Sequence, residues 1–185
     1  SIGDARRRYY SPNLQTAREV SHWWQQYSPS LSRPMPRLER PRRVLFLCST
    51  NSMRSLMAEA MANHLSNGAL LVRSAGLLPG RGIPSLTYRV LEEHAIPSDH
   101  LEMKTYRTLG DTNFEFVITV CDRVHESEMP PELAHAEIIH WSLRDPLQET
   151  SDPQEQLALS RELYQTILLR LTFFVQRLAE SERAP

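Results

Sequence analysis

From residue 43 onward the apolar and polar positions alternate between two periods. RVLFLC (43–48) is a continuous apolar run, the pattern of a strand buried on both faces of a parallel sheet. MRSLMAEAMANHLSNG (53–68) changes to helical spacing, with Leu56, Met57, Ala60, Met61, His64 and Leu65 on one face and Gly68 as its terminator. ALLVRSAG (69–76) predicts a second strand, PSLTYRVLEEHAI (84–96) a helix, FEFVITVC (114–121) a third strand and EIIHW (137–141) a fourth. Residues 151–180 predict a long closing helix, N-capped by Asp152, with Pro153 at its first position and Glu155 in reach of a capping box. Along it Leu163, Ile167, Leu168, Leu171, Phe174, Val175 and Leu178 recur at helical spacing, as a core face does. Strands alternating with helices predict an α/β fold with a doubly wound parallel sheet.

The first forty residues read differently. SPSLSRPMPRLERP (28–41) has the composition of a linker. LQTAREVSHWWQQY (14–27) predicts a short helix, with Leu14, Ala17, Val20, Trp24 and Tyr27 on one stripe and Ser11-Pro12 or Asn13 at its start. One helix cannot fold alone, so it is expected to pack on the main domain or on another chain, as in a homodimer. Two units follow: an extension and linker over 1–40, and an α/β domain over 41–182.

Composition narrows the function. A formal net charge of −1 gives no global basic excess for nucleic acid, although local basic clusters exist. No apolar run approaches the roughly 20 residues of a membrane span, and the first residues lack the apolar core of a secretory signal. The cytoplasm is therefore expected, with no membrane partner. There are two cysteines, Cys48 and Cys121, too few for a disulfide scaffold and with no CxxC for zinc. No metal is expected.

In doubly wound folds ligands sit at the carboxyl ends of the strands. Cys48, Cys121 and the Trp141–Asp145 loop all fall at such ends. CSTNSMRS (48–55) joins a strand to a helix, so its successive amides and the positive helix end make a cradle for a phosphate-like anion. A thiol in that field is expected to ionise readily, with a pKa of roughly 3.5–7.5. Arg54 offers a planar fork for two oxygens of the anion, and Ser55 a hydroxyl for the sulfur. The loop residues Ser49, Thr50, Asn51, Ser52, Met53 and Ser55 are its candidate anion-binding set.

Cys-x5-Arg-Ser after an apolar strand resembles the low-molecular-weight protein tyrosine phosphatase family, including the thioredoxin-coupled arsenate reductases built on that fold. VLFLCSTNSMRSLMAEA, VRSAG, VLEEHAIPSDH, FEFVITVCDRV and HWSLRDP match it in order, across about residues 42–180. The resemblance implies a three-layer fold with a four-stranded parallel sheet in the flavodoxin-like order 2-1-3-4 and helices on both faces. It implies Cys48 as nucleophile, Arg54 and the loop amides as charge stabilisers, Asp145 as general acid, and Asn51 as the residue that holds the loop's shape.

Within the family two features point to arsenate reduction: Cys121 at the place of a second redox cysteine, and Leu147 where phosphatases carry an aromatic residue after Asp-Pro. Glu128 stands where the reductases have a third cysteine, and Met53 where many members have a cysteine before the arginine. An external thiol or thioredoxin-type reductant is therefore expected in place of a bound cofactor. Asn51, Glu59 and Ser74 match positions that serve a structural potassium ion in such reductases, but a further carboxylate has no match. The alternatives are phosphomonoester hydrolysis by Cys48, Arg54 and Asp145, or a non-catalytic oxyanion-sensing module fused to a transcriptional regulator. GDARRRYYSPNLQTAREVSHWWQQY resembles the end of an arsenic-responsive winged-helix repressor, which would make Arg6, Arg7 and Arg8 wing residues. DNA contact would then need an upstream module that this sequence lacks.

Overall fold

The computed structural model describes residues 7–9 and 34–183. Its strands are β1 (Arg7–Tyr9), β2 (Arg42–Cys48), β3 (Leu70–Gly76), β4 (Phe116–Thr119) and β5 (Glu137–His140). The helices are α1 (Arg54–Leu65), α2 (Ser85–Glu93), α3 (Asp122–His125), α4 (Pro146–Glu149) and α5 (Pro153–Arg183). All strands pair in parallel, in the order β1-β5-β4-β2-β3. The four strands of the α/β domain thus take the expected 2-1-3-4 order. One further strand, β1, joins the β5 edge with Arg7 opposite Ile138. The helix expected over 14–27 and its dimer contact lie outside the described residues.

Val44 to Cys48 are buried without interruption, as a strand with neighbours on each side and helices around it requires. Helix α1 packs on β2 and β3, and α2 and α5 pack on α1 in turn. Enclosed this way, α1 buries Ser55 to Ala62 on every side rather than along one stripe. His64, expected on the apolar face, is exposed, because by then the helix has run past the elements that cover it. The left-handed turn that ends α1 begins at Asn67 (φ 51°) and continues through Gly68 (φ 80°). Asparagine tolerates that region better than most side chains, so the helix stops one residue earlier than the glycine alone suggests.

At the start of α5 the Asp152 carboxylate accepts the amides of Gln154 and Glu155 at 2.7 and 3.1 Å, the predicted N-cap. The capping box is indirect. Glu155 accepts the Thr150 hydroxyl at 2.6 Å, and that hydroxyl oxygen accepts the Asp152 amide at 3.1 Å. Strand β4 ends at Thr119, earlier than expected, because the chain turns there to begin α3 with Cys121 as its N-cap residue. No helix among the described residues is long and apolar enough to cross a membrane.

Candidate active site

Loop 49–53 runs from the end of β2 to α1 at the carboxyl edge of the sheet. Cys48 lies at its base with 3% of its surface exposed. Its sulfur accepts the Asn51 amide at 2.9 Å and lies 2.9 Å from the Ser55 hydroxyl. Asn51 takes the left-handed conformation (φ 52°), which folds the loop back over the sulfur. Its side chain is engaged at both ends: Nδ2 donates to Ser55 Oγ at 3.0 Å and Ser74 Oγ at 2.7 Å, and Oδ1 accepts the Lys104 amide at 2.8 Å. Since Ser55 Oγ already accepts from Asn51, its own proton is available to the sulfur. Thr50 and Ser52 pair through their hydroxyls at 3.2 Å, and Met53 is buried at the start of α1.

Sequence reading missed the glycines that admit this loop. A Cβ on Gly76 would stand 2.8 Å from the Thr50 carbonyl carbon and 3.0 Å from the Asn51 amide. One on Gly80 would stand 2.6 Å from the Thr50 carbonyl oxygen. Only a residue without a side chain lets β3 and the segment after it press on the loop. VRSAG carried the signal for Gly76, but no local pattern marks Gly80.

Arg54 is turned toward Asp145, with Nη2 at 2.9 Å from Oδ2, and its Nη1 donates to the Leu143 carbonyl at 3.2 Å. Asp145 is the N-cap of α4, where its carboxylate accepts the Leu147 amide at 3.2 Å. The Asp122 carboxyl also feels Arg54, although the hydrogen bond from Ser142 is the larger cause holding it below the usual carboxylate range, followed by His140. The expected readily ionised thiol is therefore corrected for this conformation. Burial pushes the Cys48 thiol above its ordinary value, outweighing the hydrogen bonds from Ser55, Asn51 and Thr50, and the guanidinium faces carboxylates instead.

Cys121 is a free thiol, 4% exposed, with its sulfur 3.3 Å from Ser49 Oγ. It thus flanks the same loop, and its proximity is among the factors raising the Cys48 pKa. Leu147 is exposed beside Asp145, and Glu128 is exposed beyond α3. The expected residues are brought together around one cradle.

Behind the cradle lies a polar cluster. Ser74 Oγ donates to Glu59 Oε2 in a short hydrogen bond, and Lys104 Nζ reaches the same oxygen at 3.2 Å. Glu59, on α1, is buried.

The family model described as low molecular weight phosphotyrosine protein phosphatase matches residues 43–183. A glutaredoxin arsenate reductase of Synechocystis sp. is 32% identical over 106 residues, 57% of this chain and 79% of that protein. An arsenate reductase of Shouchella clausii is 28% identical over 135 residues, 72% of this chain and 94% of that protein. A solved arsenate reductase in its reduced state superposes with a TM-score of 0.61 at 26% identity, covering 74% of this chain and 98% of that one.

Proposed function

Because the chain belongs to the low molecular weight phosphotyrosine protein phosphatase family, we propose that it reduces arsenate to arsenite, with Cys48 as nucleophile and Cys121 as second redox thiol. The observation that carries this reading is Cys121 against Ser49, the residue after the nucleophile. Hydrolysis has no use for a thiol there; reduction needs one. Leu147 supports the same reading, since an aliphatic residue offers no stacking face to an aryl substrate.

Arsenate enters the cradle of loop amides at the positive end of α1. Once there it competes with Asp145 for Arg54, whose fork turns onto two of its oxygens. That turn brings positive charge to Cys48, offsets the effect of burial on the thiol, and releases Asp145. The Cys48 proton passes to the released Asp145 carboxylate, and the thiolate left behind attacks arsenic in line. Asp145 delivers a proton to the departing oxygen, which leaves as water, and a Cys48–arsenic bond remains. Cys121 gives its proton to solvent and attacks the Cys48 sulfur. As the sulfur–sulfur bond forms, the sulfur–arsenic bond breaks and its electron pair stays on arsenic, which departs as arsenite. The two thiols have been oxidised to a disulfide.

With Glu128 in the third position, the chain has no further cysteine to carry the bridge outward. An external thiol therefore closes the cycle, either a small thiol or a redoxin of the glutaredoxin or thioredoxin type. The reducing cytoplasm, where thiols are kept free, is the compartment that suits this chemistry.

One observation favours phosphomonoester hydrolysis as a second reading. The Arg54–Asp145 pair at 2.9 Å completes an anion binder and general acid without any use of Cys121. The Cys121→Ser variant separates the two. Reduction predicts loss of arsenate turnover with aryl-phosphate hydrolysis retained, and single-turnover oxidation of wild type to a Cys48–Cys121 bridge seen by mass. Arsenate turnover and hydrolysis both unchanged in the variant would overturn the reductase reading and leave hydrolysis.

A further inference from the structure

Asn51, Glu59 and Ser74 match positions that serve a potassium ion in related reductases, but the geometry of this chain does not fit one. Asn51 Oδ1 is taken by the Lys104 amide at 2.8 Å. Ser74 Oγ accepts Asn51 Nδ2 at 2.7 Å and donates to Glu59 Oε2, so its proton and one of its lone pairs are committed. Glu59 Oε2 faces the Lys104 ammonium at 3.2 Å. That ammonium also donates to the Glu102 carbonyl at 3.1 Å. The one charged oxygen that would face an ion already faces a side-chain cation, and the other two are held in hydrogen bonds within the chain.

We propose that Lys104 supplies from within the chain the positive charge that supports the oxyanion loop, so that the site works without a bound monovalent metal. Lys104 acts at two points. Its ammonium holds Glu59 in place, and its backbone amide and carbonyl tie the same segment to Asn51 Oδ1 and to the Gly76 amide at 2.8 Å. The hydrogen bonds then have one direction. Glu59, an acceptor only, fixes the Ser74 proton; Ser74 therefore presents a lone pair to Asn51; Asn51 gives its second N–H to Ser55; and Ser55 turns its proton to Cys48. Glu59 is 7% exposed, so without a cation its charge would stand uncompensated behind the loop. Lys104 touches neither sulfur nor substrate and is a positioning residue.

The inference deepens the proposed reading by resting on an oxyanion loop, but its first test needs no turnover. Melting of the wild-type chain is compared in potassium, sodium and choline chloride at equal ionic strength, and equal midpoints are expected. A potassium-specific rise of about 3 °C or more would show an ion in the site and overturn the proposal. The second test uses Lys104→Met, with Lys104→Arg as the charge-retaining partner. Binding of inorganic phosphate is read by protection of Cys48 from alkylation. Lys104→Met should need about tenfold more phosphate, with potassium but not choline restoring part of the loss, and Lys104→Arg should lie nearer to wild type. Phosphate binding in Lys104→Met equal to wild type would overturn the positioning role. If Lys104→Met does not fold, the wild-type salt comparison and Lys104→Arg still decide. Wild-type protein that neither binds phosphate nor turns over arsenate would instead count against the proposed function, whatever the salt comparison gives.

Discussion

Cys48 is held between two opposing influences: burial keeps its proton on, and Ser55 with the loop amides draws it off. In the anion-free conformation burial prevails because Arg54 spends its charge on Asp145. Alkylation of Cys48 without anion should therefore inflect above the ordinary thiol value, since only the thiolate reacts. Asp145→Ala removes the competitor, so the guanidinium can turn to the loop and the inflection should move to lower pH. In the same variant turnover should fall about 10²–10⁴-fold, because the proton donor is gone. A pH profile of iodoacetamide labelling for both proteins checks the first expectation, and steady-state rates check the second. An unchanged inflection in Asp145→Ala would mean that the Arg54–Asp145 pair does not govern the thiol. CSTNSMRS was enough to nominate Cys48, Arg54 and Ser55, because a strand-to-helix loop is a local device. The direction in which the guanidinium turns was not legible. It depends on Asp145, ninety-one positions further along the sequence.

At the scale of elements, the loop's shape is imposed from outside it. The end of β3 lies so close that Gly76 has backbone atoms of Thr50 and Leu78 2.8 Å from where a Cβ would stand. Those are main-chain atoms, so they cannot swing aside as a side chain would. Gly76→Ala should push Thr50 and Asn51 outward, costing about 1–3 kcal/mol of stability and weakening phosphate protection of Cys48. Gly82, later in the same connection, has nothing within 4 Å of its hypothetical Cβ. Gly82→Ala should stay within about 0.5 kcal/mol of wild type, as measured by urea unfolding. The hydrophobic periods showed where β2 to β5 and the long helices lie, because burial on a sheet or along a helix leaves a local trace. They did not reveal Gly80 or Lys104, which reach the loop through the fold. They also misassigned His64, because a stripe of residues does not show where its covering neighbour ends.

For the molecule as a whole, residues just before the expected boundary at residue 41 pack on the α/β domain. Met35 is buried in the main core at 7% exposure. The Glu39 amide donates to Glu182 near the end of α5 at 2.9 Å, and Arg40 binds Glu115 through its two terminal guanidinium nitrogens at 2.9 and 2.6 Å. The linker composition of 28–41 hid this, because proline and arginine dominate the segment while, among its described residues, Met35 and the partly buried Leu38 pack on the core. The two kinds of contact should differ greatly in weight. Arg40 is 59% exposed, so its pair with Glu115 is screened by solvent and should contribute little to stability. Loss of the buried methionine in Met35→Ala should cost about 2 kcal/mol or more. Acid separates the two contributions further. The Arg40 hydrogen bond, ahead of the other attractions, holds the Glu115 carboxyl below its ordinary value. Its stabilisation is therefore present above the ordinary carboxylate pKa and is lost as pH falls through the lowered one. Urea unfolding should show the gap between wild type and Glu115→Gln closing as pH drops through that window, while the gap to Met35→Ala persists. A Met35→Ala protein as stable as wild type would place the segment before residue 42 outside the folding unit.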